Sequence, residues 1–132
     1  MKILATGGAG YIGSVCVEKL LDVGHQVTVF DNLTEGHRAA VDGRATFVEG
    51  DLGEASSITS AMRTARPDVV IHLAASAILS ESMTNPSKYF RNNVANGLYL
   101  LDAMVSSDVK RIIFFLTCYF TITIYIASWY LN

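Results

Sequence analysis

Cysteine is scarce in this chain, and the two that occur, Cys16 and Cys118, stand in no metal-ligand or redox spacing. Two such thiols are ordinary in a reducing cytoplasm, and nothing in the sequence points to a bound metal. No Pro/Ser-rich linker divides the 132 residues and no segment repeats. That length is about one domain, able to bury a core but without room for a separate substrate domain. Basic runs are missing as well. With a formal net charge of −2 and a pI near 5.8, electrostatic capture of nucleic acid is excluded as a working idea. The N-terminus offers one lysine and a short apolar run before glycines intervene, which is not the pattern of a signal peptide, and a cytoplasmic location follows. The last absence is local. No charge occurs after Arg111, and sixteen of the twenty residues from Ile112 to Leu131 are apolar or aromatic.

What is present alternates between two periods. Lys2 to Thr6 is a short apolar run ending at glycines, as a buried parallel strand should be. Tyr11 to Val23 reads as a helix, with Ile12, Cys16 and Leu20 on one face, and Gly24 is placed to end it. Gln26 to Phe30 and Ala45 to Glu49 read as the second and third strands. Glu54 to Ala65 is a helix closed by Arg66-Pro67, and Val69 to Leu73 is a fourth strand. Asn85-Pro86 begins another helix that runs to about Val105. Its inward face is expected to carry Phe90, Val94, Leu98, Leu101 and Val105. Val109 to Phe115 is a fifth strand. The order predicts an α/β fold: a Rossmann-type parallel sheet with helices on both faces, incomplete, with its second half truncated. Residues 1–115 are expected to form this one domain, and 116–132 a divergent apolar tail rather than a domain.

The first strand leads into Gly7-Gly8-Ala9-Gly10-Tyr11-Ile12-Gly13. Gly7, Gly10 and Gly13 supply a G-x-x-G-x-x-G spacing, a variant of the dinucleotide fingerprint. The glycines allow a tight turn, close approach of the backbone to a pyrophosphate, and tight packing of helix on strand. Free N–H groups and the helix dipole then favour an anion there. A glycine-rich turn with no ligand is the plainer alternative, but position after a strand, before a helix and ahead of an acidic residue favours a nucleotide. The acidic residue is Asp31, eighteen positions beyond Gly13. A carboxylate at that strand end can accept both hydroxyls of the adenosine ribose and repels a 2′-phosphate, so NAD is favoured over NADP. The alternative for Asp31 is a solvated turn carboxylate.

Several motifs make the pattern specific. Thr6 to Ser14, Asp31-Asn32-Leu33 with Gly36-His37, and Glu49-Gly50-Asp51-Leu52 resemble UDP-glucose 4-epimerases, within the extended short-chain dehydrogenase/reductases. So do His72-Leu73-Ala74-Ala75, Glu81-Ser82, and Tyr89 to Val94. The resemblance covers about 115 residues. It implies NAD as cofactor, with Tyr11, Ile12 and Asn32 among its contacts, Asp51 and Leu52 at the adenine, and Ala74 and Ala75 along the cofactor groove. Asp51-x-x-Glu54 is equally a helix capping signature, and small residues also simply end strands. Asn93 lies at the edge of the inward helix face. A buried amide there needs partners, either the cofactor near its nicotinamide end or a neighbouring loop. Asn92 is expected to point away, and His72 reads as a neutral core histidine.

The resemblance then breaks. The family mechanism moves a hydride between the sugar and NAD and needs a Tyr-x-x-x-Lys pair. No tyrosine here has lysine four residues later, and no lysine follows Lys110. Phe115 and Leu116 stand where relatives carry serines, and Ala77 stands where some carry lysine. No catalytic residue is assigned. The expectation is an inactive epimerase fragment that keeps the NAD site, with a UDP-sugar site and a homodimer only in full-length members. Two alternatives stand beside it: another sugar-nucleotide epimerase or dehydratase of the superfamily, or a membrane-tethered module using the uncharged tail. The alternation in Thr121 to Ile126 speaks against a membrane span.

Overall fold

In a computed structural model that describes residues 1–118 and 121–128, and the side chains of 1–78 and 80–115, the first strand lies mid-sheet. β1 (Lys2–Thr6) is buried from Ile3 onward because both faces of the sheet are covered. The strand order is β3-β2-β1-β4-β5-β6, with β2 at Gln26–Asp31, β3 at Thr46–Glu49, β4 at Val69–His72 and β5 at Arg111–Cys118. Those five strands pair in parallel, as the sequence predicts. β6 (Thr121–Ser128) pairs antiparallel with β5 over its whole length, from Cys118 opposite Thr121 to Arg111 opposite Ser128.

Alternation along the strands divides the core in two. Ile3, Ala5, Val27, Val29 and Ile71 face α1 (Tyr11–Asp22), which buries Val17 against them. Leu4, Phe30 and Val70 face the other way. There α2 (Ala55–Ala65) contributes Ile58 and Met62, and α5 (Asn96–Ser106) contributes Leu100 and Met104. Helix ends follow local chemistry. Gly24, at φ +86°, closes α1 with its N–H donated to the Leu21 carbonyl at 2.9 Å. α2 stops at a left-handed Arg66 followed by Pro67.

Two parts of the third helical region depart from expectation. A short helix, α3 (Leu79–Thr84), precedes the Asn85-Pro86 start, where Asn85 Oδ1 accepts the Lys88 N–H at 3.4 Å. The long helix is three segments: α4 (Pro86–Phe90), a π turn (Arg91–Ala95) and α5. Its inward face is also corrected. Phe90, Val94, Leu98 and Val105 are exposed, whereas Gly97, Leu100, Ala103 and Met104 are buried and Leu101 packs at the margin. α5 carries apolar residues on its exposed side as well as on its buried one. Its buried stripe includes small residues that carry little hydrophobic signal, and a wheel at 3.6 residues per turn loses phase across a π turn.

Candidate functional site

A cleft opens at the carboxyl ends of β1, β2, β3 and β4, beside the point where the chain crosses from one side of β1 to the other. Open parallel sheets bind ligands at such a place. One wall is the glycine loop. Gly7 adopts φ +75°, and a Cβ on it would lie 2.5 Å from the Ala74 nitrogen. A Cβ on Gly13 would overlap the Gly7 carbonyl oxygen and sit 2.8 Å from the Gly8 Cα. The loop and the β4 end are therefore packed backbone to backbone, which only glycine permits at these two positions. Gly10 is the N-cap of α1; it supplies no side-chain cap, and no acidic residue stands in the first turn. The positive end of a twelve-residue helix is thus left for an anion.

Asp31 ends β2 and is 8 % exposed. Its Oδ2 accepts the Ala9 N–H at 2.9 Å, which fixes the carboxylate against the glycine loop. Its Oδ1 accepts the N–H of Leu33, also at 2.9 Å, and Leu33 takes a left-handed φ of 58°. A carboxylate has about four acceptor positions, so two remain for ligand hydroxyls. Asn32 donates from Nδ2 to Asp51 Oδ2 at 2.9 Å, and Asp51 Oδ1 accepts the Gly53 N–H at 2.6 Å. The capping alternative for Asp51 is corrected here: α2 begins after an N-cap at Glu54, and Asp51 closes the preceding turn instead. The 31–37 loop is tied back a second time, by the His37 N–H donating to the Ala9 carbonyl at 3.0 Å.

Of the residues singled out by sequence, Gly7, Gly10, Asp31 and Asn32 line the cleft, as do Asp51, Leu52, Ala74 and Ala75. Gly13 is buried where helix meets loop, and Tyr11 and Ile12 are exposed at the start of α1. Asn93 turns to a neighbouring loop. Its Oδ1 accepts the Ser76 N–H at 2.9 Å and its Nδ2 donates to the Ser76 carbonyl at 3.0 Å. Asn92, expected to point away, lines the cleft and donates to Ser76 Oγ at 3.1 Å. The π turn over Arg91–Ala95 upsets the helical wheel on which that expectation rested.

Sequence reasoning also passed over Glu35, Ser76 and Lys88 on the cleft walls. Lys88 precedes Asn92 by one turn, a spacing that could have marked the two as one face. Lys88 Nζ donates to Glu81 Oε1 at 2.6 Å, and the single proton of Tyr89 OH is shared between Glu81 Oε2 at 3.0 Å and the Ile78 carbonyl at 2.8 Å. Hydrogen bonds from Lys88 and Tyr89 hold the Glu81 carboxyl below its ordinary range. Behind the cleft, His72 is buried beside Thr6 Oγ1, with Nδ1 at 2.7 Å, and meets Phe114 edge to face. Burial lowers its pKa to about 4, so it is a neutral core residue, as its sequence position suggests. Among the described residues no three His, Cys, Asp or Glu side chains gather as a metal site. Nor is any helix among them long and apolar enough to cross a membrane.

Residues 3–121 match the NAD dependent epimerase/dehydratase family. The chain is similar to a UDP-glucose 4-epimerase of Lacticaseibacillus casei, 45% identical over 114 residues, which is 86% of this chain and 34% of that protein. It superposes on the crystal structure of UDP-glucose 4-epimerase from Brucella ovis in complex with NAD with a TM-score of 0.82 and 42% identity, covering 85% of this chain and 34% of that one. A UDP-glucose 4-epimerase from Bifidobacterium longum in complex with NAD+ and UDP gives a TM-score of 0.85 at 29% identity, covering 89% and 37%. The chain thus spans about a third of the length of the relatives it matches.

Proposed function

Because the chain belongs to the NAD dependent epimerase/dehydratase family, we propose that it is the NAD-binding portion of a UDP-glucose 4-epimerase, and that these 132 residues alone do not turn over a sugar nucleotide. The full reaction interconverts UDP-glucose and UDP-galactose through a 4-keto sugar, with NAD supplying the hydride acceptor. The observation that carries the reading is the Asp31 carboxylate, fixed by Ala9 at the mouth of a glycine loop whose helix has no side-chain cap. The uncapped α1 end takes the pyrophosphate. Asp31 uses its two remaining acceptor positions for the adenosine ribose and repels a 2′-phosphate. Asn32, held by Asp51, and Leu52 frame the adenine side. Ala74 and Ala75 leave room along β4, and Asn93 braces the loop through Ser76. Tyr11, Ile12 and Gly13 contribute backbone at the helix start.

The inactive part of the reading rests on sequence: no tyrosine in the chain is followed four residues later by lysine. UDP-sugar contacts and homodimerisation belong in this proposal to the longer relatives. Calorimetry with NAD and NADP tests the cofactor assignment, with NAD expected to bind at least about tenfold tighter, a difference of about 1.4 kcal/mol. Equal affinities, or no binding of either, would remove it. Coupled assays of purified chain with NAD should give no interconversion above background; turnover that copurifies with the chain would refute the inactive reading.

A further inference from the structure

On the reading that the cleft holds a dinucleotide, we infer that Lys88 is a cofactor-binding residue, the side-chain cation that meets the pyrophosphate charge. The carboxylates lining the cleft are Asp31, Glu35 and Asp51, and among the described lining residues Lys88 is the one cation. Glu81 adds a further carboxylate at the rim through its bond to Lys88. A dinucleotide brings two phosphate charges into this acidic surround. The backbone N–H groups of the glycine loop offer only partial positive charge, equivalent to about half an elementary charge at a helix end. A full positive charge within the cleft is what the phosphates otherwise lack.

Position supports the assignment. Lys88 and Asn92 lie one turn apart on the α4 side and line the same cleft as Gly7 and Gly10. The Lys88 side chain is 42% exposed, so it is not locked into a dry ion pair. Its flexible four-carbon stem lets the ammonium swing between Glu81 and a phosphate without moving the backbone. Glu81 keeps a second partner in Tyr89 OH, so releasing Lys88 does not leave that carboxylate bare. Glu35, on the loop after β2, also acts on Lys88 through its charge. The lysine therefore sits among carboxylates, paired with Glu81 at 2.6 Å until a phosphate competes for it.

The test compares the full chain with Lys88→Gln and Lys88→Arg, against NAD, ADP-ribose and adenosine. NAD and ADP-ribose both carry the pyrophosphate; adenosine carries no phosphate. Lys88→Gln should weaken NAD and ADP-ribose by about fivefold, the scale of one partly exposed charge pair. Lys88→Arg should bind near wild type, adenosine should be unaffected, and the gap should close at high salt. Unchanged NAD affinity in Lys88→Gln overturns the inference and leaves the dinucleotide reading standing. A loss that extends equally to adenosine, or that Arg does not restore, assigns Lys88 a structural role and overturns it too. If the wild-type chain binds neither NAD nor ADP-ribose, the dinucleotide reading itself falls and takes this one with it.

Discussion

Asp31 is engaged before any ligand arrives. Its two oxygens hold the Ala9 and Leu33 N–H groups, so the residue proposed to discriminate between cofactors also shapes the glycine loop. Asp31→Asn keeps the volume and one acceptor but loses the charge. It should weaken NAD binding and narrow the preference over NADP, while costing about 1–3 kcal/mol of stability through a buried N–H left without a full partner. Calorimetry and urea melts on the same sample separate the two effects; a stable variant with unchanged cofactor preference would refute the role. The place of Asp31 at the end of β2, on the cleft, was legible from its distance to Gly13, because that spacing reflects one helix and one strand of fixed rise. The division of labour between Asn92 and Asn93 was not, since it depends on a π turn that leaves no composition signal. His72 was legible as a core residue. Its folded pKa of about 4 lies below the ordinary 6.5, so between those values the unfolded chain binds more protons than the folded one. Stability from this group is therefore complete above pH 6.5 and is lost as pH falls toward 4, by about 3 kcal/mol at most. The imidazole resonances of His72 should show no titration above about pH 5; a midpoint near the ordinary histidine value would contradict the buried assignment.

At the scale of elements, the identity of β1 to β5, α1 and α2 came directly from period and punctuation. The glycines before α1, Pro67 after α2 and Asn85-Pro86 before α4 all mark boundaries that the structure keeps. The direction in which α5 faces did not come through. Large residues at Phe90, Val94, Leu98 and Val105 dominate any hydrophobic pattern, yet Leu100, Ala103 and Met104 are the residues that pack into the core with Ile58 and Met62 of α2. Close packing rewards fit, and a pattern of hydrophobicity measures only bulk. Truncation distinguishes the two stripes. Leu100→Ala opens a cavity between Leu4, Ile58 and Met104 and should cost about 2–5 kcal/mol. Leu98→Ala removes a side chain that is 56% exposed and should stay within about 0.5 kcal/mol. Equal losses in chemical denaturation would restore the stripe expected from sequence.

For the molecule as a whole, the question is which residues make the fold and which merely extend it. Parallel pairing from β3 to β5 rests on a two-sided core, and β5 joins it through Ile112, 2% exposed, and through Ile112 to Phe114 opposite Val70 to His72. β6 adds only a hairpin partner on the far side of β5. It also becomes the outer strand of the sheet, eight residues without charge or proline. Such an edge invites pairing with another chain. A chain ending after Phe115 exchanges that edge for a five-residue one that begins with Arg111. A two-stranded hairpin contributes little stability of its own, whereas β5 keeps its inward contacts, so the balance favours the shorter chain. The chain of residues 1–115 should therefore give more soluble protein than the full chain and bind NAD with the same affinity. Amide exchange supplies the check on the fold itself. Lys2–Thr6 and Gln26–Asp31 should stay as protected as in the full chain, and if their protection collapses, β6 belongs to the folding unit and the boundary at 115 is misplaced.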